Sequence, residues 1–217
     1  FYQGGFVAMN LAIIDCGIGN TQSVFKAFSE VGKSFPKPVK IFFTRRSEEI
    51  EKADKIVFPG QGAMGSCMAV LVQEGLEETI RNAFYQKPFL GICVGAQLLL
   101  SESEEKNSHG FSLYPGKVKH LKKKGAPMTP HMGWNTVKQI KAHPIFKEIK
   151  DHERFYFAHS FFLSPEDTSL TLAESCYEEA FPVVIGKDNV VAAQFHPEKS
   201  QAAGLQFLRN FLSYEGS

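Results

Sequence analysis

The sequence predicts an α/β fold with a mostly parallel central sheet covered on both faces. In the first half, apolar runs of strand length alternate with amphipathic helical patterns, the order expected of parallel strands joined by helical crossovers. In the second half, closely spaced strand candidates follow one another, so the later strands extend or flank the first sheet. A chain of 217 residues, 43% hydrophobic and 22% charged, can bury a substantial core without staples.

Leu11–Asp15 is a short apolar run ending in the Gly-rich turn Cys16-Gly17-Ile18-Gly19-Asn20. Val24, Ala27, Phe28 and Val31 then recur at three- and four-residue spacing, which predicts a helix. Val39–Thr44 reads as the second strand, and Lys55–Phe58 as the third, stopped by Pro59-Gly60-Gln61-Gly62. Leu76–Phe84 is helical, and Pro88–Ile92 is the strand that feeds Cys93. Ligands of such sheets bind at the carboxyl ends of strands. Residues 16–20, 59–62 and Cys93 all fall at that edge. Trp134–Val137, Phe155–Leu163, Leu170–Cys176, Pro182–Gly186 and Val190–Phe195 are the later strands, with Lys187-Asp188-Asn189 a hairpin turn. Leu205, Leu208, Phe211 and Leu212 form the apolar stripe of a closing helix. Residues 1–8 read as an appended remnant before a natural start at Met9, leaving one domain over residues 9–213.

The net charge of +1 provides no global field for nucleic acid or an anionic membrane, and the Lys122-Lys123-Lys124 run reads as a solvated loop. Four cysteines without a CxxC pair suggest neither a disulfide framework nor a zinc or redox motif, and fit a reducing, cytosolic compartment. No apolar stretch reaches the roughly 18 residues that span a bilayer, and the N-terminal residues lack a signal peptide's pattern. No metal or organic cofactor is expected. The seven histidines lack ligand spacing, and Gln22 breaks the Gly-x-Gly-x-x-Gly pattern begun by Gly17 and Gly19.

The chemistry-bearing segment is Pro88-Phe89-Leu90-Gly91-Ile92-Cys93-Val94-Gly95-Ala96-Gln97. A cysteine bracketed by glycines between a strand and a helix has the grammar of a nucleophile elbow, with sulfur in place of oxygen. The tight turn needs small neighbours, which Gly91 and Gly95 supply, and a helix N-terminus favours the thiolate. The plainer alternative is a buried, inert cysteine. A thiol nucleophile needs a base and a group to orient it. His109 and His120 read as loop residues, and His143 and His152 as exposed. His131 and His159 are better placed. His196 ends an apolar strand, and Pro197 fixes φ just after it. In extended backbone, His196 and Glu198 face the same way, so the carboxylate can hold the imidazole tautomer. The alternative is a strand-end histidine followed by a helix-capping glutamate.

On Gly91–Gln97, Gln194–Glu198 and the Pro59–Gly62 loop, the sequence resembles the triad-type, class I glutamine amidotransferases from about Met9 to Leu212. The resemblance implies a flavodoxin-like three-layer fold whose parallel sheet is extended by antiparallel strands. It implies hydrolysis of L-glutamine, with Cys93 as nucleophile, His196 as general base and acid, and Glu198 orienting His196. The oxyanion would be met by Val94 and the Gln61-Gly62 loop, and the substrate by Gly60, Gln97, Glu105, His159 and Ser160. Asp15–Asn20, Pro130–Asn135 and Phe155–Ser160 are similar to the branch serving histidine biosynthesis. Its partner is a (β/α)₈-barrel cyclase subunit in a heterodimer that receives ammonia through a sealed interface. The joint products there are imidazole glycerol phosphate and an aminoimidazole carboxamide ribonucleotide. Asn20, Ser23, Trp134, Tyr156 and Lys199 are the implied interface residues. Cys16 and Gln61 depart from the branch's usual residues. Competing readings are the same glutaminase serving another acceptor, such as a surface-sugar pathway, a non-catalytic regulatory subunit, and a cysteine peptidase of related fold.

Overall fold

The computed structural model describes residues 7–17, 19 and 21–216, so most of the appended stretch, Ile18 and Asn20 lie outside the described residues. Strand β1 (Met9–Ile14) is buried at every position but Asn10, as a central strand must be. Helix α1 (Thr21–Lys33) buries the expected stripe of Val24, Ala27, Phe28 and Val31. Then come β2 (Val39–Thr44), α2 (Ser47–Lys52), β3 (Lys55–Gly60), α3 (Met64–Gln73), α4 (Glu77–Gln86) and β4 (Phe89–Cys93). The pairs β1–β2, β1–β3 and β3–β4 are all parallel. Strand order reverses after β2. Right-handed crossovers therefore place α1 on one face and α2 to α4 on the other. Helices α2 and α3 have no counterpart among the helices expected from the sequence. The first is only six residues long, and the second is apolar on most sides, with no clear polar face to mark a stripe.

A single helical turn, α5 (Val94–Gln97), follows Cys93. The strands β5 (Leu100–Ser103), β6 (Ser108–His109), β7 (Tyr114–His120), β8 (His131–Gln139), β9 (Glu153–His159), β10 (Phe161–Pro165), β11 (Thr171–Tyr177), β12 (Glu179–Lys187) and β13 (Val190–Ala193) come next, and α6 (Gln201–Ser213) closes the chain. The main sheet has nine strands in the order β2-β1-β3-β4-β13-β12-β11-β8-β9. Strand β13 is parallel to β4, whereas the pairs from β13 outward to β9 are antiparallel. This is the expected flavodoxin-like sheet with an antiparallel extension. Lys187 pairs with Val190, so Asp188 and Asn189 form the predicted hairpin turn. Helix α6 packs beside α1, with Phe28 and Phe211 in edge contact at 6.4 Å.

Three expectations need correction. Phe155–Leu163 is not one strand. The chain leaves the main sheet at Ser160 and enters a second, four-stranded sheet ordered β10-β7-β5-β6. Both halves are apolar and alternate, so composition conceals the break. His109 and His120 lie on strands rather than in loops. His143 is half-buried against the Tyr214 ring at 5.3 Å, and its Nδ1 accepts from the Ile145 amide.

Candidate active site

The carboxyl ends of β3, β4 and β13 converge on one point. Strand β4 stops at Cys93, whose φ of 54° and ψ of −108° turn the chain sharply into α5. A non-glycine residue in this region is strained and persists only where its surroundings enforce it. They do so through glycine. A Cβ on Gly95 would sit 1.7 Å from the Phe58 carbonyl oxygen, and one on Gly91 would sit 2.6 Å from the Gly95 oxygen. The elbow can form only because β3, β4 and α5 touch backbone to backbone. Because α5 is one turn long, its dipole is smaller than that of a longer helix. Gly60 lies opposite Cys93 in the β3–β4 register, which brings the Gly60–Gly62 loop beside the nucleophile. Gly62 has a φ of 89°, a turn that suits glycine.

His196 follows β13 and is held by its own main chain. Its amide donates to the Tyr156 carbonyl at 2.9 Å. The Ser200 hydroxyl donates to the His196 carbonyl at 2.6 Å and accepts from the Tyr156 amide at 2.9 Å. The imidazole Nδ1 and Glu198 Oε1 are 2.7 Å apart, with both side chains almost wholly buried. Their convergence arises differently from the sequence argument. Pro197–Lys199 is a 3-10 turn, and that turn, rather than an extended run, brings Glu198 back to the ring. With Nδ1 donating to the carboxylate, the other nitrogen is left as the working atom. Nε2 is buried and makes no hydrogen bond of good geometry among the described residues. The Cys93 thiol is nonetheless near enough to act on the ring's charge. Burial opposes the imidazolium, but the Cys93 sulfur and the Glu198 carboxylate outweigh it and raise His196 to about 10.

Sequence reasoning missed Gln194. It is fully buried, donates from Nε2 to Cys93 Sγ at 3.7 Å, and accepts from Gln97 Nε2 at 3.2 Å. A lone amide at the end of the otherwise apolar run Val190–Phe195 was its only signal. Gln97 is itself buried by this contact instead of lying on an open helix face.

A cleft of about 470 Å³ opens over the nucleophile, within the range of small-molecule sites. Gln61, Gly62, Cys93, Val94, Gln97, Glu105, His159, Ser160 and Lys199 border it, so nearly all the expected substrate-facing residues meet there. Gly60, His196 and Glu198 line a smaller cavity that shares Gln61 with the cleft. His159 lines the cleft, with a second buried histidine, His131, bonded to it. His159 Nδ1 is 2.7 Å from the Phe161 carbonyl, so it must donate, and Nε2 must accept from His131 Nδ1 at 2.9 Å. Burial lowers His159 to about 3 and also lowers His131, so both are neutral near pH 7. Trp134 and Tyr156 are cross-strand neighbours with ring centres 6.1 Å apart, and Lys199 Nζ lies 6.0 Å over the Tyr156 ring. Three expected interface residues thus form one surface cluster. Ser23 lies in the first turn of α1, and Asn20 lies outside the described residues. Among the described residues no three His, Cys, Asp or Glu side chains group as a metal site.

The family model for class-I glutamine amidotransferases matches residues 12–214. This chain belongs to the class-I glutamine amidotransferases. The amidotransferase is 47% identical to the imidazole glycerol phosphate synthase subunit HisH of Neisseria meningitidis serogroup B, covering 95% of this chain and 100% of that one. It is 48% identical to the same subunit from Chromobacterium violaceum, over 96% and 100%. A solved glutamine amidotransferase superposes with a TM-score of 0.72 at 16% identity, covering 94% of this chain and 97% of that chain. A likeness at that identity speaks for the fold alone.

The buried histidines divide the pH dependence of this amidotransferase's stability into two windows. His159 binds its proton more readily unfolded, near pH 6.5, than folded, near 3, so its contribution falls as the pH drops through that interval. His196 does the reverse. Its contribution is complete below about 6.5 and is lost as the pH rises toward 10. Each site changes stability by up to about 1.4 kcal/mol per pH unit. Urea midpoints measured from pH 4 to 10 are expected to peak near neutrality, and His159→Asn should flatten the acid limb. An unchanged acid limb in that variant contradicts the assignment.

Proposed function

We propose that this amidotransferase is the glutaminase subunit of imidazole glycerol phosphate synthase, hydrolysing glutamine and supplying ammonia to histidine biosynthesis. The observation that carries the reading is the match of 47–48% along the entire length of synthase subunits. The Cys93, His196 and Glu198 arrangement supports the chemistry.

The cleft admits the glutamine side chain with its amide carbon over Sγ. His196 takes the thiol proton, and Cys93 attacks. The oxyanion is met by the Val94 amide, just after the nucleophile, and by an amide of the Gln61-Gly62 loop. His196 returns its proton to the departing ammonia, and water then cleaves the γ-glutamyl thioester to release glutamate. Glu198 keeps Nδ1 protonated throughout. Gln194 holds Gln97 and steadies the sulfur. Glu105 and Ser160 face the α-substituents of glutamine.

Lys199 of the Trp134–Tyr156–Lys199 cluster borders the cleft from which ammonia must leave, so the synthase partner docks on that cluster. That partner is a (β/α)₈-barrel cyclase subunit in a heterodimer, and its seal keeps ammonia from water. Glutamine turnover measured with and without that subunit and its ligand tests the reading. Stimulation by both together supports it, and full activity of the isolated chain argues against partner gating.

Glu198→Gln keeps an acceptor for Nδ1 but removes the charge that stabilises the imidazolium. Loss of the corresponding acid in a Ser-His-Asp enzyme costs about 10⁴-fold in kcat. A fall of similar order is expected here, with KM for glutamine little changed. A loss confined to KM would move Glu198 from orienting the base to binding substrate.

A further inference from the structure

Two buried thiols have no part in this chemistry. Cys16 follows β1, and Cys67 lies in the first turn of α3. They are 51 residues apart in sequence, yet their sulfurs are 2.7 Å apart. A disulfide bond is about 2.04 Å long, so the sulfurs need to close by well under 1 Å. Both sit beside the oxyanion loop. Gly19, three residues after Cys16, is packed so closely that a Cβ there would meet the Gln61 amide nitrogen at 3.0 Å. Helix α3 begins two residues after Gly62. The cysteine pair therefore joins the two segments that flank Gly60–Gly62.

We propose that Cys16 and Cys67 are a modification site, closing under peroxide to a reversible disulfide that restrains the oxyanion loop and lowers glutamine hydrolysis. Cys16, 3% exposed against 0% for Cys67, meets the oxidant first. Its sulfur attacks the peroxide O–O bond, giving a sulfenic acid and one water. The Cys67 sulfur then displaces hydroxide from that sulfenic sulfur, forming the S–S bond. The displaced hydroxide takes up the Cys67 proton and leaves as a second water. In sum, two thiols lose two electrons and two protons, and one hydrogen peroxide becomes two waters. The Cys16 contact and burial hold the Cys67 thiol in its protonated form, so closure is slow. A reversible cytosolic disulfide of this kind is usually a sensor, not a staple.

The effect on turnover rests on the glutaminase reading, but formation of the bond does not. The full chain is treated with hydrogen peroxide and digested, and the peptides are weighed before and after dithiothreitol. A peptide joining Cys16 to Cys67 that reductant separates is expected. Its absence overturns the proposal. Glutamine turnover with the synthase partner is followed in parallel, in wild type and in Cys16→Ala/Cys67→Ala. Because Cys93 is itself oxidisable, the informative quantity is the reversible loss present in wild type and absent from the double variant. That loss is expected to be of order 10- to 100-fold, the upper end matching removal of one oxyanion donor. Equal losses in both proteins overturn the regulatory role. If neither protein is labelled at Cys93 by a glutamine-analogue electrophile, the glutaminase reading fails instead, while the mass result stands on its own.

Discussion

Cys93→Ala is expected to abolish glutamine-dependent turnover while the synthase partner continues to work with added ammonia. The thiol is the only group at the elbow that can form the γ-glutamyl intermediate, and loss of a triad nucleophile costs on the order of 10⁶ in kcat in a well-studied hydrolase. The substitution removes one sulfur from a site whose geometry is held by Gly91, Gly95 and the β3–β4 register. The fold and the docking face should therefore persist. Two assays on the same complex, one fed glutamine and one fed an ammonium salt, measure the effect. Retained glutamine turnover would remove Cys93 from the mechanism. Loss of the ammonia-dependent reaction as well would show that the variant had damaged the complex itself.

Gly95→Ala is expected to be among the most damaging single-methyl changes at the described residues. The added carbon would lie 1.7 Å from the Phe58 carbonyl oxygen, which belongs to β3 and cannot swing aside as a side chain would. Overpacking a core typically costs about 1–3 kcal/mol. Here backbone meets backbone in the sheet's centre, so the loss should reach or exceed the top of that range, a large share of a typical stability of about 5–15 kcal/mol. Gly32→Ala in α1 is the contrast. Its Cβ would meet only Val39 Cβ, at an ordinary 3.8 Å, and alanine in a helix gains up to about 1 kcal/mol over glycine. Urea midpoints at constant m-value separate the two. Equal midpoints for Gly95→Ala and wild type would mean that α5 is free to shift away from β3.

The parallel half of the fold was legible because β1, β3 and β4 are buried almost throughout and glycine stands at or within three residues of the end of each, at Gly17, Gly60 and Gly95. Val39–Thr44 matches its strand residue for residue. The elbow and the His196–Glu198 pair were legible for a related reason. Tight turns at strand ends demand particular residue types, and those types stand in short segments. The second sheet was hidden because β5, β6 and β7 are short or half-exposed, and β10 continues the pattern of β9. Gln194 was hidden because its role comes from β13 lying beside β4, a pairing across about a hundred residues. The Cys16–Cys67 contact was invisible for the same reason: no local spacing announces it.

At Ser160 the chain passes from one sheet to the other in a single residue, with His131 Nδ1 bonded to His159 just before the crossing and the Leu121 amide bonded to the Ser160 carbonyl at it. Such a seam has no slack. Adding or deleting one residue there would reverse the facing of every side chain from Phe161 to Pro165 against β7. That side of the cleft behaves as a fixed jamb. Gln61 and Gly62 border the same cleft on a stretch flanked by glycine, so its rim joins a backbone locked between two sheets to one with little Cβ restraint.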